Sequence, residues 1–403
     1  MATPKLRFKE FDGDWFQSKI GEIFQVTSGS TPLRSDNRFF ENADIAWVKT
    51  TDLNNGLIEK TEEKISQIAL KETSVKILPK GTVFVAMYGG FNQIGRTGLL
   101  VHEAACNQAL SAIYPNEKID SYFLLTFLNH KVDDWKNFAA SSRKDPNITK
   151  SDVLAFPLKY PVKEEQTKIA SFLCAVDEKI SQLTQKHALL SQYKQGMMQK
   201  LFSQQLRFKA DDGSEFGEWE KVKLGSLLIK HDEKTEFNNQ YPVLTSSRHG
   251  IYFQKDYFAG QDVASADTTG YNVVPYDYFT YRHMSDDLVF KFNINTICPK
   301  GIVSTLYPVF TVKDEHLNKY FLQTILNEGQ EFKNFAIMQK QGGSRTYMYF
   351  SKLSELVLTI PCLEEQTKIA NFLSAIDQKI EVVAKQIEQA KQWKKGLLQQ
   401  MFI

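Results

Sequence analysis

The sequence predicts an α+β protein in which two globular units alternate with two long helices, and the helices pair with each other. Three observations carry this. Residues Glu164–Phe202 recur without a gap as Glu364–Phe402. The apolar residues of both copies fall at heptad spacing. The intervening segments combine short β-type runs with helical stretches and share residues at their ends but not in their middles. The expected division is a globule at 1–160, a central helix at 161–206, a second globule at 207–360 and a C-terminal helix at 361–403.

The repeat opens EEQTKIASFLCAVDEKI in one copy and EEQTKIANFLSAIDQKI in the other, with 13 of 17 positions identical, and 18 of 39 over the full span. A period of two hundred residues is far too long for a solenoid and indicates a duplicated half-molecule. In the first copy Ile169, Val176, Leu183, Leu190 and Met197 lie seven apart, with Leu173, Ile180 and Leu201 in a second row. The second copy repeats this with Ile369, Ile376, Val383, Ala390 and Leu397 beside Leu373, Ile380, Ile387 and Met401. Alternating steps of four and three over about five heptads mark a coiled-coil seam. Pairing the two copies within one chain buries both stripes. Pro161 and Pro361 precede the helices, where proline is tolerated at a start but not in an interior. Lys194 and Lys394 fall on the seam, where a lysine either fixes register or lays its stem along apolar surface.

In the first globule, short strands are predicted at Ile45–Val48, Thr82–Met87 and Ala109–Tyr114, separated by turn signals such as Asn54-Asn55-Gly56 and Gly89-Gly90. An apolar helix is predicted from Tyr122 to about Phe138, then a loop, then a strand at Val153–Leu158. The second globule echoes this frame. RFK recurs at Arg207–Lys209, Trp219 answers Trp15, YFLQTILN at Tyr320–Asn327 answers YFLLTFLN at Tyr122–Asn129, and Asn334-Phe335-Ala336 answers Asn137-Phe138-Ala139.

Apolar content of 42% and charged content of 24% are ordinary for a soluble protein. No run approaches membrane-spanning length and the first residues lack an apolar signal core, so a cytoplasmic protein with no membrane partner is expected. Cys106, Cys174, Cys298 and Cys362 form no CxxC pair, which points away from zinc and disulfides. With a net charge of only +2, a nucleic-acid binder must concentrate its cations locally.

These features resemble the specificity subunit of type I restriction-modification enzymes, a bacterial defence system. The resemblance rests on the duplicated EEQTKIAxFL openings behind Pro161 and Pro361, on KIGEIF…TSGSTP…IAWVKTTDL (Lys19–Leu53), on ACNQAL (Ala105–Leu110), and on YPVLTSSRHGI and GIVSTLYPVF in the second globule. It implies two target recognition domains joined by an intramolecular antiparallel coiled coil with a pseudo-twofold repeat. The coiled coil would act as a ruler and a dock. The implied partners are double-stranded DNA with a bipartite target, two methyltransferase subunits, and restriction subunits. Those partners would use S-adenosylmethionine, ATP and Mg. The chain itself would bind no cofactor and catalyse nothing.

The residues offer no catalytic constellation. There is no phosphate loop, and His102-Glu103-Ala104-Ala105-Cys106 lacks the second histidine of a zinc helix, so no metal site is expected. Base edges call for arginine, lysine, asparagine or glutamine on exposed loops. Candidates in the first globule are Ser30, Thr31 and Arg34; Asn92, Gln93 and Arg96; and Arg143, Lys144 and Asn147. In the second they are Ser247, Arg248 and His249; Arg282; and Lys340, Ser344 and Arg345. The duplicated helix openings suggest a partner-binding face at Glu164, Glu165, Gln166 and Lys168 and at Glu364, Glu365, Gln366 and Lys368. Two other readings stay open: a stand-alone two-headed DNA-binding regulator, and a nuclease with a cryptic site.

Overall fold

The computed structural model describes residues 3–90, 92–139, 147–261, 263–340 and 345–403. Two compact units divide the chain, one made of residues 1–187 with 383–403, the other of 188–382. Each therefore takes in part of both long helices, which run Lys163–Phe202 and Leu363–Met401.

Within the first unit, Ile169, Leu173 and Val176 from the start of one helix share a core with Leu397, Met401 and Phe402 from the end of the other. Within the second, Met198 and Leu201 share a core with Ile369, Leu373 and Ile376. The start of each helix thus meets the end of its partner, and the pairing is antiparallel. Near the end of the first helix the stripe shifts by one residue: Met198, not Met197, is the buried methionine. Both seam lysines make ion pairs across the helix pair. Lys194, only 9% exposed, reaches Asp377 and Glu328, each at 2.8 Å. Burial opposes its ammonium, yet the two carboxylates outweigh that and hold it above its usual pKa. Lys394 pairs with Asp177 in the first unit. Asp177 and Asp377 occupy equivalent places in the repeat, so each unit holds its helix pair with the same lysine–aspartate bond.

The first unit is built on a five-stranded sheet ordered Val26–Ser28, Leu110–Ile113, Val83–Ala86, Thr97–Leu100, Gly56–Ile58, antiparallel except for the last pair. Side chains of successive strand residues point to opposite faces. Val83, Val85 and Met87 accordingly join the core of the helix Ser121–His130 and the long helices, while Phe84 and Ala86 join Val48, Leu53 and Ile58 on the other side. The central strands are buried on both faces, so they read as apolar runs without alternation. The second unit has a four-stranded sheet ordered Leu228–His231, Val309–Val312, Phe279–Tyr281, Phe292–Ile294. Around it lie smaller pairs, including the hairpin of Leu244–Ser247 with Gly250–Phe253. In both units a strand near the start pairs antiparallel with the strand feeding the long helix, Phe16–Lys19 with Pro157–Tyr160 and Glu220–Lys223 with Val357–Ile360.

Two local expectations change. The helix predicted from Tyr122 to Phe138 breaks at Lys131 and resumes as a short 3-10 turn and the helix Trp135–Phe138. The strand predicted at Val153–Leu158 splits, because Lys150–Ala155 is helical and only Pro157–Tyr160 is extended. The cause is a reciprocal cap: Thr149 Oγ accepts from the Asp152 amide at 3.3 Å and the Asp152 carboxylate accepts from the Thr149 amide at 2.7 Å. Pro157 then ends the helix.

Candidate nucleic-acid interface

Register alone gathers the first unit's candidates. Ser28, Ser111 and Val85 lie in one row across the sheet, and Thr97 pairs with Val85. The segments leaving that row emerge at one end of the sheet: Gly29–Arg34, Asn107–Ala109, Met87–Gly90 and Asn92–Arg96. Asn147 joins them, since the next amide, Ile148, donates to Met87 O at 3.0 Å. The described candidates Ser30, Thr31, Arg34, Asn92, Gln93, Arg96 and Asn147 therefore share one end of the sheet. Arg143 and Lys144 lie outside the described residues.

Close backbone packing shapes the first of these loops. A Cβ at Gly29 would sit 2.1 Å from Cys106 O and 2.3 Å from Asn107 O, so only glycine fits there. The Ser30 amide then donates to Cys106 O at 3.0 Å, and Thr31 Oγ1 donates to the Gln108 side chain. Arg34 lies over the rings of Phe40 and Trp47, 4.8 and 5.0 Å from their centroids, with one guanidinium nitrogen 2.6 Å from Glu63. Lys49 reaches Glu63 and Glu62 at 2.8 and 3.1 Å. Hydrogen bonds from Arg34 and then Lys49 hold the Glu63 carboxyl below its ordinary pKa. Gln108 and Lys49, which are not among the candidates the sequence offers, join this cluster through Thr31 and Glu63. Gln108 sits in the ACNQAL run, Ala105–Leu110.

In the second unit the hairpin tip carries Arg248 and His249. Ser247 Oγ donates to Gly250 O at 2.9 Å and accepts from the His249 amide at 3.1 Å. Buried Asn293 pins the hairpin to the sheet through Ser246 Oγ and Ser247 O, at 2.9 and 2.8 Å. Arg248 grips Asp287 with two bonds of 2.7 and 2.8 Å, and the Asp287 carboxyl is thereby held at about 2. Arg345 Nε donates to the neighbouring Asp286 at 2.9 Å. The Asp286-Asp287 step thus brings together two arginines from separate loops. Arg282 and Lys340 are exposed, and Ser344 lies outside the described residues.

The partner-binding expectation needs correcting at four of its eight residues. Glu165, Gln166, Glu365 and Gln366 are buried, each at 0 or 1% exposure. Arg7 binds Glu165 through Nε and Nη2 at 2.8 and 2.7 Å, and Arg207 binds Glu365 likewise at 3.2 and 2.7 Å. Gln166 accepts from the Asp120 amide at 2.9 Å and donates to Pro161 O and Lys118 O. Gln366 does the same with Asn318, Pro361 and His316. The repeated Glu-Gln pair therefore fastens each helix to its own globule and is not a docking surface. Glu164 and Glu364 are exposed, while Lys168 pairs with Glu10 and Lys368 with Asp211.

Among the described residues no group of three or more His, Cys, Asp or Glu side chains is placed to hold a metal ion, and no helix is long and apolar enough to cross a membrane. The family model for the type I restriction modification DNA specificity domain matches residues 12–192 and again 217–392. The chain is 25% identical to the type I restriction enzyme MjaVIII specificity subunit of Methanocaldococcus jannaschii, over 97% of this chain and 94% of that protein. It is 24% identical to the EcoR124I/EcoR124II specificity subunit of Escherichia coli over 45% of each. In fold it is similar to the crystal structure of a type I restriction-modification S subunit from M. genitalium, with a TM-score of 0.62, 15% identity and coverage of 100% of this chain and 99% of that one. A structure from work on complex assembly of the type I system covers 96% of this chain and 97% of its own, with a TM-score of 0.53 and 15% identity. With two domain matches that take in most of its length, the chain belongs to the type I restriction-modification DNA specificity family.

Proposed function

We propose that this chain is the DNA-reading subunit of a type I restriction-modification assembly, that each unit reads one half of a bipartite double-stranded target, and that the chain is not itself catalytic. One observation carries the reading. Each unit gathers its polar and basic loop residues on a shared scaffold, yet the residues presented differ between units. Asn92, Gln93, Arg96 and Asn147 suit adenine and guanine edges in the first, whereas Arg248, Arg282 and Arg345 suit mainly guanine edges in the second. Phosphate contacts set orientation, and base contacts set sequence.

The partners are two methyltransferase subunits and the restriction subunits, which bring S-adenosylmethionine, ATP and Mg for methylation and cleavage. With four of the eight motif residues turned inward, docking falls to the outward faces of the long helices. Leu189, Tyr193, Val382 and Trp393 are all more than half exposed there, an apolar exposure that a helix facing only water has no need of. Native mass spectrometry is expected to find two methyltransferase subunits per chain. A fully competent complex with one would contradict that.

Modularity tests the reading directly. Exchanging residues 1–160 for the corresponding globule of another family member is expected to change one half of the methylated sequence and leave the other as it was. Base-resolved mapping of methylated adenines reads both halves at once. A change in both halves would rule out independent readers.

A further inference from the structure

The segment Arg345–Tyr349 alternates strictly between outward and inward residues. Thr346 and Met348 are buried, while Arg345, Tyr347 and Tyr349 face solvent, the two tyrosines at 42% and 51% exposure. This is the period of an extended strand, and it sets one cation and two rings in a row. The tyrosine rings stack with centroids 5.7 Å apart and planes 11° apart. Beneath them His283 stacks on Tyr349 at 4.9 Å and 24°.

The ladder is fixed in place. Tyr347 pairs with Met284 in strand register. The Met348 amide donates to His283 O at 2.7 Å, and buried Tyr281 donates its hydroxyl to Met348 O at 2.9 Å. The His283 ring is itself held at Leu306 O. Arginines flank the row: Arg345 within it, exposed Arg282 next to His283, and Arg248 reaching Asp287 beside the Asp286 that holds Arg345. Arg345 meets Asp286 through a single exposed bond, a kind of pair that is weak in water, so a phosphate can displace that carboxylate.

We propose that Tyr347 and Tyr349, with Arg345, form a stacking platform for a DNA base that has left the duplex stack, the arginines holding the adjoining phosphates. The proposal rests on the DNA-reading function above. Parallel rings beside cations take up unstacked bases of any identity, because every base offers a π face. A fully stacked duplex offers such a face only at its ends. The platform therefore adds to the edge-reading loops a site for a locally opened base pair.

The test uses the full chain and two fluorescein-labelled duplexes of about 30 base pairs carrying the mapped target. One is fully paired and the other has one mismatched, unstacked pair within the half read by the second unit. Fluorescence anisotropy is expected to show the mismatched duplex bound about tenfold more tightly, the scale of one stacked base. The Tyr347→Ala/Tyr349→Ala variant is expected to lose that preference. Tyr347→Phe/Tyr349→Phe, which keeps both rings, is expected to retain it. Equal binding of the two duplexes by the unaltered chain, or a preference that survives the alanine changes, would overturn the platform while leaving DNA reading intact. Binding to neither duplex would overturn both.

Discussion

Replacing Arg207 with alanine is expected to destabilise the second unit by about 3 kcal/mol, and Arg7→Ala the first unit by a similar amount. The Glu365 side chain has no solvent exposure, and Arg207 supplies two of its hydrogen bonds. With the guanidinium gone, only the Trp219 indole, at 3.2 Å, still donates to that carboxylate among the bonds described. An ionised group left buried without its countercharge costs far more than the pair contributes when intact. The double variant Arg207→Met/Glu365→Leu removes both charges and is expected to recover most of the loss. Urea titration of the full chain, followed by hydrogen exchange to assign the transition, measures both effects. A loss below about 1 kcal/mol would show the pair to behave as a surface bridge.

A matched four-residue insertion, after His187 in one long helix and after Val382 in the other, is expected to lengthen the gap between half-targets by one or two base pairs. Both positions fall where one compact unit gives way to the other, so Lys194–Asp377 and Lys394–Asp177 stay within their own units. Four residues add roughly 6 Å of helix, and duplex DNA rises about 3.4 Å per base pair. They also advance the helix by little more than one turn, so the apolar stripes stay nearly in phase. A two-residue insertion turns the stripe by about 200° and is expected to cost folding or assembly. Methylation mapping that shows an unchanged gap, or altered half-sequences, would remove the helices from the role of ruler.

The long helices were legible because heptad spacing is carried by residues close in sequence, as were the turn-bounded strands Ile45–Val48 and Val83–Ala86. Helix Lys150–Ala155 was not, since its apolar residues also suit a strand and the choice falls to the Thr149–Asp152 cap. The inward turn of Glu165 and Gln166 was hidden for a different reason. A Glu-Gln pair near a helix start reads as an exposed partner-binding face until an arginine 158 residues away is known to reach it. The same distance problem hid the arginine pairs of the second unit, whose carboxylates lie 39 and 59 positions from Arg248 and Arg345. Sequence names the donors on a loop, whereas their restraints come from the tertiary fold.

Phe402 packs against Trp15, Phe123 and Phe127 and stacks on His130. The core that holds Trp15 and Phe123 is thus closed by a residue more than two hundred positions beyond His187. A ribosome adding about 5–20 residues per second needs roughly 10–40 s to travel from His187 to Phe402. Throughout that interval the first unit is synthesised but lacks one wall, and its aromatic pocket is open to chaperones or to stray apolar segments. A message cut short before the last helix yields a chain whose first unit lacks the residues that seal it. Because unit two is encoded between the two parts of unit one, the first unit is complete only after the second has been made.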